Sequence, residues 1–404
     1  MLTLIDGNSL LFRAYYGVHS RLTRRDGTPT GAVFGFFNMV LPLLAVAGDK
    51  DEFVCVFDAS RITFRQDIYP DYKMNRSETP QDLIAQGEMI RAGLAACGVP
   101  VLCIPGVEAD DVIATLADKY CDRPGGTRII TSDKDLMQLV SDCVYLYDGM
   151  KAREIRTPEV LEKFGVRPDQ VIDVQSLMGD SSDNVPGVPG IGPKKAAELI
   201  NQFGSLDNLY AQLSDVKNDR VRGLLTDNRD MAYISRQLVT LKRDVNLDGL
   251  TVAPLCFDVA GAIEFMRTRV ESTSLVAKIE KLFPNAADSP ACQAPATYAG
   301  SDCPVEIGDD VPAGADMPDM IAGWTYEIVR TTQQLDAFLA TVTDTLAIDT
   351  ETTGLDQMTD KLVGICMAAR SGQGVYIPLR HRGASADLFA DNVMAPDQMD
   401  IHVV

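Results

Sequence analysis

Short apolar, β-rich runs alternate with helical patterns through the first 280 or so residues. "LTLID" (2–6), "FVCVFD" (53–58), "TRIITSD" (127–133) and "VYLYD" (144–148) predict strands. The helices between them have readable ends. Thr79 and Pro80 read as N-cap and first residue of a helix running to Gly98, and Thr157 and Pro158 open another that stops at Gly165. "VEADDVIATL" (107–116) and "PDQVIDVQSLM" carry further helical runs. The alternation predicts an α/β fold with a mostly parallel central sheet covered on both faces, and a binding crevice at the carboxyl ends of the strands.

The acidic residues fall on that rim. Asp6, Asp58 and Asp133 close three strands, Asp135 follows two residues later, and Glu108, Asp110 and Asp111 open the intervening helix. Asp180 and Asp183 sit at the end of the helix "PDQVIDVQSLM". Singly, each reads as a turn former, a cap or a complement to a helix dipole. Nine together read differently, because like charges about 4 Å apart repel by roughly 4 kcal/mol at an effective dielectric of about 20. Such a cluster needs a cation. Oxygen ligands in this number, without His or Cys beside them, fit Mg²⁺ or Mn²⁺. Two such ions about 3.5–4 Å apart activate a water and stabilise the leaving oxygen in an in-line displacement at phosphorus. Phosphodiester hydrolysis is the chemistry suggested. His19, the only histidine before residue 381, reads as a structural or surface residue and not as a general base.

Composition bounds the rest. A chain of 404 residues, 46% hydrophobic and 23% charged, is expected to form two or three soluble domains. "MLTLIDGNSLLF" reads as a strand and leaves no room for a targeting peptide, and no apolar run approaches the roughly 18 residues of a membrane span. Nine scattered cysteines without a CxxC pair read as reduced thiols, so a cytoplasmic location is expected. The net charge of −20 is unevenly spread: residues 1–284 carry 32 Lys+Arg and 39 Asp+Glu, residues 285–404 carry 5 and 18. Setting the nine clustered acids aside turns the first part from −7 to +2, so its remaining surface need not repel a polyanion. The Pro-, Ala- and Asp-rich stretch after Lys281 predicts a flexible acidic linker over 285–323 between a domain of residues 1–284 and a second unit over 324–404.

Two segments look built to hold a nucleic acid. "RITFRQDIYPDYKMNR" (61–76) interleaves Arg61, Arg65, Lys73 and Arg76 with Phe64, Tyr69 and Tyr72, a mixture suited to a single strand whose bases stack and whose phosphates meet cations. In "GVPGIGPKKAAELINQFG" (187–204), Gly190 and Gly192 free the backbone for a tight turn and Pro193 starts a helix. Lys194 and Lys195 stand in its first turn, where exposed amides and two lysines make a phosphate seat. Lys217, Arg220, Arg222, Arg229 and Arg236 extend the basic region.

Taken together, "LIDGNSLLFRAYY", "DGTPTGAVFGF", "FVCVFDAS", "TFRQDIYPDYKMNR", "GVEADDVIATLA", "TSDKDLMQLV" and "GDSSDNVPGVPGIGPKKA" resemble the 5′ nuclease domain of the bacterial DNA polymerase I family, related to the flap endonucleases. The resemblance covers about residues 1–285. It implies a PIN-like fold with a helix-two-turn-helix at about 185–225 that can hold K⁺. It also implies that Asp6, Asp58, Glu108, Asp110, Asp111, Asp133, Asp135, Asp180 and Asp183 are the catalytic metal ligands. Arg65, Tyr72, Lys73 and Arg76 would belong to an arch that admits the 5′ strand, Lys73 and Arg76 acting in the reaction. The partners implied are DNA with 5′ flaps, nicked or gapped duplexes and RNA primer–DNA junctions, met by a monomer in the nucleoid during replication and repair. One departure is "YYGVHS", where family members more often place a His sooner after the first Tyr.

The second unit resembles the start of a ribonuclease H-like 3′-5′ exonuclease domain. In "LAIDTETTGLD" (346–356) Asp349 and Glu351 share one strand face as the first metal-binding motif. The family's later motifs and polymerase domain are not found in the sequence, so neither proofreading nor polymerase activity is expected of this chain. Alternative readings are a PIN-like ribonuclease, which would need neither residues 61–76 nor the lysine turn, and a non-catalytic DNA-binding fragment.

Overall fold

The computed structural model describes residues 1–17, 22–76, 79–149, 151–284, 325–342, 346–352, 362–370 and 373–379. The chain divides into two compact units, Met1–Ile307 and Gly308–Val404. The linker expected at 285–323 lies outside the described residues, as does His19.

Unit one is built on six strands, β1 (Leu2–Asp6), β2 (Glu52–Thr63), β3 (Val101–Gly106), β4 (Thr127–Ile130), β5 (Val144–Asp148) and β6 (Arg153–Ile155), in the order β3-β2-β1-β4-β5-β6. All neighbours are parallel except β5 and β6. The chain runs β1 to β3 outward on one side, then returns to lay β4 and β5 on the other. The carboxyl ends of β1 and β4 therefore flank a topological switch point, where open parallel sheets hold their ligands.

A central parallel strand is covered on both faces, so it has no polar side to show. In β1, Leu2 and Leu4 join Val54, Val56, Leu102 and Ile113 in one core, while Ile5 joins Phe36, Phe37, Phe53 and Phe57 in the other. Each fully buried Leu, Ile or Phe contributes about 1.5–3 kcal/mol, so the two cores hold the rim where the acids sit. The second core is closed by α1 (Gly7–Tyr15), α2 (Gly31–Ala45), α4 (Gln81–Ala96) and, later in the chain, α12 (Val259–Thr268) and α13 (Thr273–Leu282). The short α3 (Phe64–Ile68) sits instead at the edge of the acid cleft. On the other face lie α5 (Ala109–Lys119) and a helical region of α6 (Thr157–Phe164), α7 (Val171–Met178), α8 (Pro193–Phe203), α9 (Leu206–Ala211), α10 (Asp219–Asp227) and α11 (Arg229–Val239).

Several boundaries differ from the sequence reading. β3 and β6 were not expected, since "VLCIPG" ends in Pro105 and Gly106 and β6 is three exposed or half-buried residues at the sheet edge. β4 stops at Ile130, so Asp133 lies in the loop beyond the strand, and β2 runs on to Thr63, so Asp58 lies within its strand and does not close it. α4 starts at Gln81 with Pro80 in the cap position, and Thr157 is the first residue of α6 with Arg156 as its cap, because backbone geometry and not side-chain type decides where a helix opens. The cysteines also depart from expectation. Cys121 and Cys143 form a disulfide with Cα atoms 5.5 Å apart, and Cys103 and Cys256 are disulfide-bonded as well. Cys121 follows α5 and Cys143 precedes β5, which the pairing of β4 with β5 brings together, so no local motif announced the bridge. No helix among the described residues is long and apolar enough to cross a membrane.

Unit two has β7 (Thr325–Ile328), α14 (Thr332–Leu339), β8 (Ala347–Thr352), β9 (Leu362–Arg370) and β10 (Gln373–Pro378). Its sheet order is β7-β10-β9-β8, with β7 and β10 parallel and the other pairs antiparallel, around Val329, Leu335, Met367, Val375 and Ile377.

Candidate active site and nucleic-acid interface

A strand end, a strand interior, a helix start and a loop deliver the acids one by one. Asp6 ends β1 and caps α1, accepting from Ser9 N at 2.9 Å and from the Thr131 hydroxyl at 2.7 Å. Asp58, opposite Ile104 of β3, accepts from Ala109 N at 2.7 Å and from the Asn8 amide. Glu108 is the N-cap of α5, with Asp110 in its first turn. Asp133 accepts from Asp135 N at 2.9 Å, and Asp135 accepts from Gln175 Nε2 of α7 at 2.5 Å.

Asp180 and Asp183 ride on a loop that only glycine closes. Gly179 and Gly187 have φ of 70° and 61°, and a Cβ on Gly187 would stand 2.4 Å from Gly179 N. Their close approach lets Asp180 and Val185 exchange backbone bonds of 2.9 and 2.8 Å, which turns both carboxylates toward the strand ends.

The cations of residues 61–76 reach into this cleft. Lys73 Nζ lies 2.8 Å from Glu108 and 3.5 Å from Asp183, and Arg76 pairs with Asp183. The Tyr72 hydroxyl, buried, lies 3.3 Å from Glu108 and 3.4 Å from Asp183. Lys73 adopts φ of 58°, a left-handed conformation unusual for a lysine, while its N–H donates to Asp183 O at 3.0 Å. On the other side Lys134 binds Asp180 at 2.7 Å.

Burial and crowding set the electrostatics. Burial pushes Asp6 up to about 7, with Asp133 and Asp58 adding to the shift against the Ser9 and Thr131 bonds. Asp135 also rises to about 7, through burial and then Asp133 and Asp180. Asp110 is held well above the usual carboxylate range by burial, Asp133 and Asp6, and Asp58 is raised by burial and Glu108. Asp180 is the exception: burial alone would raise it, but the Lys134 bond holds it below the ordinary value. For Lys73, Glu108 and Asp183 more than offset the burial that would strip its proton.

Among the described residues no three acids already stand in ligating geometry; the carboxylates are bonded to Lys73, Arg76, Lys134 and neighbouring amides instead. The donor set nevertheless fits a hard divalent ion. It is oxygen-only, and its crowded acids hold protons that a dication would replace. A pH dependence follows. A carboxyl at 3.8 in the unfolded chain and about 7 in the fold keeps its proton longer in the native state, so stability falls as pH rises between those values. Thermal melts without metal should show that decline, a divalent ion should raise Tm most at the upper end, and Asp135→Asn should flatten the metal-free profile. A wild-type profile as flat as that of the variant would contradict the crowding.

Two of the sequence-predicted site residues spend their polar groups within the protein, although Arg65 borders the cleft, 3.5 Å from Glu108. Asp111 and Arg65 are completely or almost completely buried, at 0% and 1% exposure, and bind each other through two 2.8 Å bonds. Arg65 therefore does not present its guanidinium to a strand, and Asp111 has no oxygen lone pair turned to the cleft. Sequence reading also missed Asn8, Thr131, Gln138 and Gln175, neutral groups that orient the acids; the sole signal was Asn8 following the strand-end Asp6 at the β1–α1 junction.

The turn before α8 has the local geometry read from the sequence. Gly190, with φ of 88°, and Gly192 are exposed, Pro193 begins α8, and Lys194 and Lys195 stand exposed in its first turn, Lys195 pairing with Glu198. Further along, Arg229 lies 5.4 and 5.8 Å from the ring centroids of Tyr210 and Tyr233, and Arg236 pairs with Asp207. In unit two, Asp349 pairs with Cys366 across β8 and β9 and is exposed; the side chain of Glu351 lies outside the described residues.

Comparison with known proteins identifies the frame around this site. Residues 1–165 match the family model of the 5′-3′ exonuclease N-terminal resolvase-like domain, residues 166–255 that of the 5′-3′ exonuclease C-terminal SAM fold, and residues 326–398 a 3′-5′ exonuclease model. The chain is 36% identical to DNA polymerase I of Rhizobium leguminosarum over 97% of its own length and 45% of the relative. It is 37% identical to DNA polymerase I of Pseudomonas aeruginosa over 94% of its own length and 40% of the relative. The chain thus spans less than half the length of these curated relatives. Among solved structures, the zinc-bound T5 5′-exonuclease shares the fold at a TM-score of 0.51 and 22% identity, over 70% of this chain and 99% of that one. The bacteriophage T5 flap endonuclease in complex with DNA and metal ions does so at 0.51 and 20%, over 71% and 99%.

Proposed function

We infer the function from a family premise: over residues 1–255 this chain belongs to the 5′-3′ exonuclease family found in DNA polymerase I. The chain is a 5′-3′ exonuclease and flap endonuclease whose substrates are DNA with 5′ flaps, nicked or gapped duplexes and RNA primer–DNA junctions. The observation that carries this reading is the juxtaposition of eight acids at the strand ends with Lys73 and Arg76 reaching in from the segment 61–76.

Asp6, Asp58, Glu108, Asp110, Asp133, Asp135, Asp180 and Asp183 would hold divalent metal, Mg²⁺ in our reading. When bound, such ions supply an activated water and stabilise the leaving oxygen at phosphorus. The chain's own groups do the rest. Lys73, kept protonated by its acidic neighbours, and Arg76 can exchange a carboxylate partner for the scissile phosphate and neutralise the charge that develops there. The buried Tyr72 packs beneath them beside Val185, Leu238 and Val239 and fixes the approach. The lysine turn grips phosphates of the duplex without reading bases, and its carbonyls are the expected seat for K⁺. A monomer acting on the chromosome in replication and repair, in the cytoplasm, completes the proposal.

Grip and chemistry should separate. Lys194→Ala with Lys195→Ala should weaken duplex binding alike for all sequences and lower the salt slope by roughly 1 for each phosphate no longer neutralised. Lys73→Ala should leave duplex affinity near the wild-type value and depress single-turnover cleavage. Fluorescence-anisotropy titrations and flap-cleavage time courses check both, and identical profiles for the two variants would show that one segment is misassigned.

A further inference from the structure

Residues 238–242, the end of α11 and the chain leaving it, border the acid cleft through Leu238, Val239 and Leu241, and their backbone is taken up by buried side chains from three other elements. Arg65, at the start of α3, donates from Nε to Leu238 O at 2.8 Å and from a terminal nitrogen to Thr240 O at 3.3 Å. Its two terminal nitrogens also fork onto Asp111, at 2.8 Å each. Asp111 in turn accepts from Lys242 N at 2.8 Å and from Glu108 N at 3.0 Å. Gln138, one turn after Asp135, donates to Asp135 O at 3.0 Å and to Val239 O at 2.9 Å, and accepts from Leu241 N at 3.2 Å. Each of these three side chains thus directs one end to residues 238–242 and the other to the backbone or neighbour of a cleft acid.

We propose that residues 238–242 are a latch through which Arg65, Asp111 and Gln138, as positioning residues, set the root of the 61–76 segment and the two acid-bearing turns at 108–111 and 133–135 relative to the last helix of the DNA-binding region. Geometry separates this from the roles that charge alone suggests. A group that meets phosphate must be exposed, and Arg65 is not; a ligand needs a free oxygen, and both Asp111 oxygens are engaged. A buried, fully bonded network is also the kind that holds a single arrangement, because any misplacement strands a polar group without a partner. Arg65 and Asp111 can therefore relay the placement of α11 to the cleft acids without meeting phosphate or ligating metal.

The proposal rests on the nuclease reading, and its test keeps the two apart. Arg65→Lys keeps the charge and would serve as well on a phosphate, but cannot fork onto Asp111 while reaching two carbonyls. Asp111→Asn removes the charge from a supposed ligand while keeping its shape. Both variants, with wild type and Asp110→Asn, are measured for Mn²⁺ binding by calorimetry without DNA, for the salt slope of duplex binding, and for kcat and KM on a 5′-flap duplex. Loss of positioning should lower kcat roughly 10- to 100-fold in both, with KM and salt slope near wild type, Mn²⁺ affinity reduced less than in Asp110→Asn, and the double variant no worse than either single one. Wild-type kcat in Arg65→Lys, or Mn²⁺ affinity in Asp111→Asn reduced as far as in Asp110→Asn, would overturn it. Should Arg65→Lys not fold, Gln138→Leu cuts the same segment from the Asp135 side with the ion pair intact, and wild-type kcat there would be equally fatal. The Mn²⁺ arm needs no cleavage, so a wild type that binds the ion yet cuts no flap fails the nuclease reading and leaves the Asp111 assignment decided on its own.

Discussion

Asp133→Asn should leave a folded protein that still binds DNA and has lost cleavage by about a thousandfold or more. Asp133 stands between Asp6 and Asp135 at the switch point of the sheet, and asparagine keeps its shape and the acceptor for Asp135 N. What it removes is one negative charge from a site whose metal would contribute several kcal/mol to the transition state, and about 1.4 kcal/mol is a factor of ten in rate. The fold itself should gain, since burial and like charge hold the Asp133 carboxyl above its ordinary value. Single-turnover cleavage, duplex affinity and metal-free Tm measured on the same preparation check the three statements. Turnover near wild type would remove Asp133 from the reacting site.

The second large effect is on stability. Replacing Asp111 by Leu alone strands a buried guanidinium, and replacing Arg65 by Met alone strands a buried carboxylate. Burial by itself would lower the Arg65 pKa; the Asp111 bond and the nearby Glu108 charge raise it instead, so the pair depends on both members. Each single change should cost about 3–5 kcal/mol, while the double replacement, with apolar groups of similar volume, should recover only the part owed to the stranded charge, because Leu238 O, Thr240 O, Glu108 N and Lys242 N lose their partners in it as well. Urea unfolding of the four proteins gives the cycle directly. Additive losses would mean that the two side chains are stabilised separately and not by each other.

The parts of this site that were legible in the sequence are those whose chemistry is carried by position on a strand. Asp6 could be placed because a short apolar strand ends at a rim, Asp58 because its apolar run stops there although the strand itself continues to Thr63, and the glycine-lysine turn because Pro193 marks a helix start. Burial was not legible. Arg65 and Asp111 lie in charged motifs beside true cleft residues, and nothing in "TFRQ" or "EADD" tells that one arginine and one aspartate turn inward to meet each other 46 positions apart. β3 escaped notice although it delivers Glu108, because Pro105 and Gly106 at its end read as a turn. Gln138 and Gln175 carry no motif at all; their roles arise when the helical region folds back over the sheet. The same holds for Cys121 and Cys143, which sequence separation hides and strand pairing joins. In unit two, Asp349 was found on its strand, while the residues after Thr352 that would complete its setting fall outside the described part as far as residue 361.

The most direct measurement of the central claim is incubation of the full chain with a 5′-labelled flap duplex and a matched blunt duplex, with and without Mg²⁺. The acid rim and the inward-reaching Lys73 and Arg76 predict release of short 5′-labelled products from the flap substrate with Mg²⁺ present, no release after chelation, and none from Asp133→Asn. Equal cleavage with the metal chelated, or a flap left whole by a folded, Mg²⁺-saturated protein, would contradict the account.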